Sequence, residues 1–160
     1  MITVLSGVLT IRLLTPEEFP LCLPYGEMFH REMDVPGVFS PETFLTKWGQ
    51  FHSLGLGVIF GLWRGEELIG GLGGVTIPDL TTGQLVTSEL FWYVQEASRH
   101  GTWPIRLLKT FRQWGKAQGA VRFRMVHLLR QDEDPSTVKL ASVYRHLGLR
   151  PIEVAYDGPM

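Results

Sequence analysis

QLVTSELFWYVQEASRHGTWPIRLLKTFRQWG, residues 84–115, changes its hydrophobic period halfway along. Residues 84–94 are rich in β-branched and aromatic side chains and read as a strand. From there on, Ile105, Leu108, Phe111 and Trp114, with Leu107 beside them, recur at helical spacing. The turn between holds one glycine, one tryptophan and one proline. A strand-to-helix turn can hold a phosphate, because the first N–H groups of a helix have no internal partner and the helix dipole favours an anion. Here Thr102 and Pro104 stand where small, flexible residues would be expected. The turn therefore reads as either a modified anion cradle or a plain helix start.

The same reading extends outward in both directions. Residues 8–14 form a strand, and Thr15-Pro16-Glu17-Glu18 opens a helical stretch interrupted at Pro20 and Pro24. Ser40-Pro41-Glu42-Thr43 starts a second helix with Phe44, Leu45, Trp48 and Phe51 on one face. Residues 57–63 and 68–77 make an antiparallel hairpin through the turn at Arg64–Glu67, and Pro78–Gly83 turn the chain again into 84–94. After the long helix, stopped at Gly119, residues 121–129 alternate as a strand. Pro135 opens a last helix ending at Gly148, and 149–156 reads as a final strand. The order β-α-α-β-β-β-α-β-α-β predicts an α/β (α+β type) fold with a mixed, largely antiparallel central sheet flanked by helices, since three consecutive strands cannot form a fully parallel wound sheet.

With 160 residues, 44% of them hydrophobic, residues 1–160 are expected to form a single domain with a substantial core. The net charge is −1 and the basic residues are dispersed, which argues against a nucleic-acid footprint. The apolar runs fall short of a membrane span, and the N-terminal stretch lacks a basic leader region, so it reads as structure. Cys22 is the only cysteine; the chain can form no internal disulfide, which fits a cytoplasmic protein. The histidines and Cys22 show no metal-ligand spacing, so no metal is expected. The run Gly70-Gly71-Leu72-Gly73-Gly74 precedes no helix and reads as a bulge or a close approach of backbone rather than a phosphate loop. The acidic stretch Gln131–Asp134 reads as solvated, with a cationic substrate as an alternative neighbour.

Glu89 stands alone as a charge in an apolar strand, on the same side as Phe91 and Tyr93 by alternation. Such a residue has either a partner or a task. It is a candidate general base, and equally a salt-bridged strand carboxylate. His127 is a second, weaker candidate base, more simply a hydrogen-bonded strand histidine. Arg99 is placed to add a charge-assisted contact to an anion in the turn, and Thr102 to add a hydroxyl. Trp103 would either cover a ligand or block it.

Two local patterns within this order resemble the GCN5-related N-acetyltransferase (GNAT) superfamily, and the likeness covers nearly the whole chain from about residue 8. Val94 to Arg99 match the family's strand end and basic residue, and Leu107-Leu108 fall at its leucine pair without insertion or deletion. Tyr144-Arg-His-Leu147-Gly148-Leu149-Arg-Pro151 resembles the family's Y-x-x-L-G-F-x-P, and Trp114-Gly-Lys-Ala-Gln-Gly-Ala its W-A-K-x-x-G-A. Thr102 and Pro104 replace family glycine or alanine positions, while Gly101 occupies a variable slot, giving a degenerate coenzyme A loop. Family sequences with a displaced glycine are frequent among phage-encoded members, so the resemblance allows a phage origin.

The resemblance implies an acetyl-CoA-dependent N-acyltransferase, with acetyl-CoA as co-substrate and direct attack by an amine on the thioester. It implies that Glu89, in the strand that carries a base-like glutamate in many members, is catalytic, and that Tyr144 donates a proton to the leaving thiolate. Tyr144 also suits a plain packing role. Trp92, Tyr93 and Val94 would meet the pantetheine through main-chain groups, and Arg99, His100, Gly101, Thr102, Trp103 and Pro104 would surround the pyrophosphate. The acceptor, an amine-bearing small molecule or a protein, would enter over the two N-terminal helices, where Tyr25, Phe29, Phe39, Phe44 and Trp48 suggest an aromatic-walled cleft. The alternative is a catalytically inactive binding or structural module of the same shape, part of a phage assembly; separately, the C-terminal strand and its edge suit a homodimer.

Overall fold

The computed structural model describes residues 7–128, 133, 139–153 and 155–160, which fall into two compact units, Met1–Val126 and His127–Met160. In the first unit, β1 (Leu9–Leu13), β2 (Gly57–Arg64), β3 (Glu67–Pro78), β4 (Leu85–Val94) and β5 (Arg122–Arg124) lie side by side in sequence order. The pairings β1–β2, β2–β3 and β3–β4 are antiparallel, and β4–β5 is parallel. A parallel pair needs a crossover, and α3 (Trp103–Ala117) supplies it. Of the strand expected over 121–129, Arg122–Arg124 form among the described residues, and residue 129 lies outside them.

Pro20 and Pro24 explain why the segment after β1 is two pieces: a 3-10 helix over Pro16–Cys22, then α1 (Leu23–Glu32) with Pro24 in its first turn, where a missing N–H costs nothing. Glu18 fixes the start of the first piece. Its carboxylate takes the Thr15 N–H at 3.0 Å and both terminal nitrogens of Arg12 at 2.7 and 2.8 Å, and the Arg12 bonds hold it down to a pKa of about 2. Ser40 caps α2 (Pro41–Ser53) by accepting the Thr43 N–H at 3.2 Å.

The two faces of the sheet are covered differently. On one, Trp48 of α2 meets Phe91 edge-on at 5.5 Å, within a cluster that includes Phe19, Cys22 and Ile59. On the other, α3 buries Leu107, Leu108 and Phe111 completely. The glycines of β3 set how close both layers come. A Cβ at Gly73 would lie 2.6 Å from both Phe91 and Trp48, and one at Gly74 would lie 2.3 Å from the Phe111 ring. Gly115 does the same for α3, since a Cβ there would fall 2.2 Å from Thr87 Oγ1. Thr87 is in turn hydrogen-bonded to Thr76 at 2.6 Å, which satisfies two buried hydroxyls at this contact.

The glycine run also contains the expected bulge, and the bulge corrects one expectation. Gly73 pairs with Phe91, but Gly74 pairs with Glu89, so Leu90 is an extra residue in β4. Directly opposed residues share a face, so Glu89 lies with Gly74 on the Phe111 side, together with Thr87. Phe91 and Tyr93 face the other way. Simple alternation placed Glu89 beside them, and the inserted residue reverses that.

In the second unit, α4 (Lys139–His146) ends as the sequence suggests. Gly148 takes φ +79°, and the Leu149 N–H reaches back to the Tyr144 carbonyl at 2.9 Å. The final strand expected over 149–156 is not formed among the described residues; Pro151 removes a ladder donor from its middle. Residues 131, 132 and 134 of the acidic stretch, and the start of the last helix at Pro135, lie outside the described residues. Among the described residues no helix is long and apolar enough to cross a membrane.

Candidate active site

Glu89 is 3% exposed, and its carboxylate accepts the Val126 N–H at 2.9 Å. The parallel pairing of β4 with β5 runs from Val86–Arg122 to Ser88–Arg124 and stops there. One residue further along β4, the Glu89 side chain takes the N–H that a main-chain carbonyl would have taken had the pairing continued. Burial pushes the Glu89 carboxyl up to about 7, against the single N–H that favours its charged form. A carboxyl that titrates near neutrality can take a proton and give it back at physiological pH. Trp92 alternates with Phe91 and so shares the Glu89 side of β4 beyond the bulge. Its Nε1 is buried without a hydrogen-bond partner among the described residues, a donor with an unmet requirement beside this strand.

The turn from β4 to α3 is open and partly committed. Gly101 takes φ +84°, with nothing within 4 Å of where a Cβ would project. Thr102 is the N-cap of α3, but its φ −96° and ψ −10° are helical rather than extended, and its hydroxyl makes no cap bond. The first internal bond of α3 runs from Arg106 N–H to the Thr102 carbonyl at 2.9 Å. Ahead of it, Trp103 and Ile105 carry N–H groups with no intrahelical partner, while Pro104 has none to offer. Trp103 is half-buried, and the Arg106 guanidinium lies 4.8 Å from its ring centre one turn along the same helix. His100 is exposed.

Arg99, exposed in the turn, is bonded back to β4 and α1. Its Nε donates to the Val94 carbonyl at 2.7 Å, and its terminal nitrogen meets Glu32 of α1 at 2.9 Å. The guanidinium also lies 5.0 Å from the Tyr93 ring, whose hydroxyl donates to Glu32 at 3.2 Å. Arg99, Tyr93 and Glu32 therefore tie the end of β4 to α1. Glu32 was not legible as a partner, because the sixty-odd residues between it and Arg99 carry no local pattern linking them.

On the other face of β4, a cavity of about 300 Å³ opens between α1, α2 and the bulge. Four of the five aromatics expected to wall an acceptor cleft line it: Phe29, Phe39, Phe44 and Trp48. Tyr25 does not. It stacks on Tyr93 at 5.7 Å, donates to the Leu68 carbonyl and accepts from Gln95 at 3.0 Å, all of which hold it in the core. His30, Lys47 and Leu90 line the cavity without having been expected there. Spacing could have found Lys47, since Thr43, Lys47 and Phe51 follow one another at four-residue intervals along α2. Leu90 could not have been found, because its place depends on the bulge. Tyr144 and His127 belong to the second unit, Tyr144 within α4.

No protein-family model and no curated protein sequence matches the chain. Solved structures do. A predicted acetyltransferase from Clostridium acetobutylicum, crystallised with acetyl-CoA, superposes with a TM-score of 0.76 at 13% identity, covering 95% of this chain and 96% of the other. An aminoglycoside acetyltransferase from an uncultured soil metagenomic sample gives 0.70 at 16% identity, covering 96% and 99%. A transcriptional regulator from Bacillus halodurans gives 0.72 at 15% identity, covering 96% and 100%. The chain has the mixed, mostly antiparallel sheet of the GNAT fold, and its structural neighbours include several acetyltransferases.

Proposed function

We propose that this chain, acting as one domain, is an acetyl-CoA-dependent N-acyltransferase that moves an acetyl group to an amine by direct attack on the thioester. The observation that carries the reading is Glu89: a buried carboxyl titrating near neutrality at the point where β4 and β5 part. An alkylammonium must lose a proton before it can attack, and a carboxyl of this pKa is ionised, and so able to accept that proton, in about half of the molecules near pH 7. Acetyl-CoA supplies the activated acyl group. The N–H groups of Trp103 and Ile105 at the start of α3 would hold its pyrophosphate, with Gly101 leaving the approach open. Trp92 Nε1 offers a hydrogen bond along β4. Arg99 acts as a positioning residue by holding the Val94 carbonyl, and Tyr144 would return a proton to the thiolate.

A second reading is a binding module without turnover. It is favoured by the same turn, where Pro104 lacks an N–H and Thr102 does not cap. Thermal shift or calorimetry with acetyl-CoA and with CoA separates the two. A ligand at 100 times its dissociation constant stabilises the fold by about 2.7 kcal/mol. Stabilisation by both, with CoA release in the presence of a suitable amine, supports the enzyme; no shift at millimolar acetyl-CoA removes it. With binding in place, Tyr144→Phe should lower turnover and leave affinity unchanged.

A further inference from the structure

The cavity between α1 and α2 has a chemistry that selects its occupant. Its walls are mostly aromatic or aliphatic: Phe39, Phe44, Trp48 and Phe51 from the helical side, and Leu90 and Phe91 from β4. Among the described lining residues there is no carboxylate. The ionisable ones are His30, which is half-buried against the Phe39 ring at 6.1 Å, and Lys47, which is exposed. A volume of about 300 Å³ sits at the small end of the range for ligand pockets, enough for one ring system.

A hydroxyl-rich polycation would meet no counter-charge here and, among the lining side chains, only the Thr43 hydroxyl and the His30 ring as acceptors. Each ammonium it brought inside would be stripped of water without a partner, and Lys47 would repel it. An apolar ring loses nothing on entering, and aromatic walls offer it edge-on and offset contacts. A carboxylate attached to that ring would reach a cation at the mouth of the cavity.

Resting on the acyl-transfer reading, the geometry points to an acceptor of one class: an amine bearing an aromatic or branched apolar group and a carboxylate, as in an aromatic amino acid. The apolar group fills the α1–α2 cavity, and Lys47 meets the carboxylate. Leu90 and Glu89 are consecutive in β4 but face opposite sides of it: Leu90 and Phe91 wall the cavity, and Glu89 lies on the Phe111 side of the bulge.

The test measures binding to the full chain by calorimetry without acetyl-CoA, using phenylalanine, phenylalaninamide, glycine and the aminoglycoside kanamycin. Phenylalanine should bind most tightly, and Trp48 should report it by a change in fluorescence. Lys47 is exposed, so Lys47→Glu should fold as the wild type does. It should weaken phenylalanine by about threefold to fivefold, the range of an exposed ion pair, and strengthen the amide. Phe39→Ala should weaken both ring-bearing ligands alike.

Equal binding of phenylalanine and glycine overturns the ring assignment. Equal binding of phenylalanine and its amide overturns the role of Lys47, and tighter binding of kanamycin overturns the class. These outcomes are separable from failure of the acyl-transfer reading. Phenylalanine binding without any acetyl-CoA binding keeps the cavity assignment and removes the reaction, whereas acetylation of kanamycin in preference to phenylalanine does the reverse.

Discussion

The carboxylate of Glu89 accepts the main-chain N–H of Val126 at 2.9 Å, one residue beyond the point where β4 and β5 cease to pair. A side chain thereby closes a gap that the backbone leaves, and it does so with a group whose charge is poorly tolerated at that depth.

That arrangement makes stability depend on pH in a definite direction. The Glu89 carboxyl is raised from an ordinary 4.5 to about 7, so the folded chain holds a proton over this range that the unfolded chain has lost. Its contribution is complete below about pH 4.5 and disappears as pH rises through about 7. Glu89→Gln keeps an oxygen for the Val126 N–H and removes the buried charge. The variant should melt at a higher temperature than the wild type at pH 8, by roughly 3 kcal/mol at most, and the difference should close near pH 4.5. Acyl transfer should fall in the same variant while acetyl-CoA binding persists. Melting curves of equal height at pH 8 would contradict the burial argument.

Pro104 removes a donor from the first turn of α3 and also sets its φ for helix. Pro104→Ala should tighten CoA by roughly tenfold to a hundredfold, a hydrogen bond to a charged group contributing roughly 1.5–3 kcal/mol. It should also cost up to about 1 kcal/mol of stability through the freer unfolded chain. Calorimetry with CoA, paired with thermal melting, reads both quantities. Unchanged affinity would mean that the phosphate does not meet this turn.

Arg99 bonds Val94 and Glu32, so its loss should be felt first in the fold. Arg99→Gln should lower stability by about 1 kcal/mol, because the ion pair is partly exposed and screened. CoA affinity should change less than about threefold, the size of such a screened contact. A large loss of affinity at unchanged melting temperature would transfer Arg99 from positioning to direct contact.

Two glycines should respond to the same substitution through different quantities, one in stability and one chiefly in CoA binding. Gly115→Ala would drive a methyl group to 2.2 Å from Thr87 Oγ1, a buried atom already bonded to Thr76, and should cost about 1–3 kcal/mol. At Gly101 nothing lies within 4 Å, and only the strain of φ +84° opposes a side chain. Gly101→Ala should cost about 1 kcal/mol at that turn and act chiefly on CoA binding. Denaturant midpoints for the pair, with CoA titrations, check both.

The sequence carried the elements of the first unit with small shifts at their ends, because period and turn chemistry are local properties. The strand over 84–94 formed as Leu85–Val94, and the helix opened by Pro104 formed as Trp103–Ala117. What sequence could not carry was register. Alternation sent Glu89 to the Phe91 side, and only the pairing of Gly74 with Glu89 shows the reversal. The Arg99–Glu32 pair was out of reach for a related reason: Glu32 lies on an element distant in sequence. The expected 149–156 strand is absent among the described residues because a strand-like composition supplies no neighbour to pair with.

Leu90 is the one residue β4 could lose without changing which way its neighbours face. Replacing that residue would trim one wall of a cavity. Removing it would join Glu89 directly to Phe91 with the pairs Gly74–Glu89 and Gly73–Phe91 unchanged, so Glu89 and Thr87 would stay on the Phe111 side while the bulge disappeared. A one-residue deletion here would thus erase a kink and leave the two sides of the strand as they are.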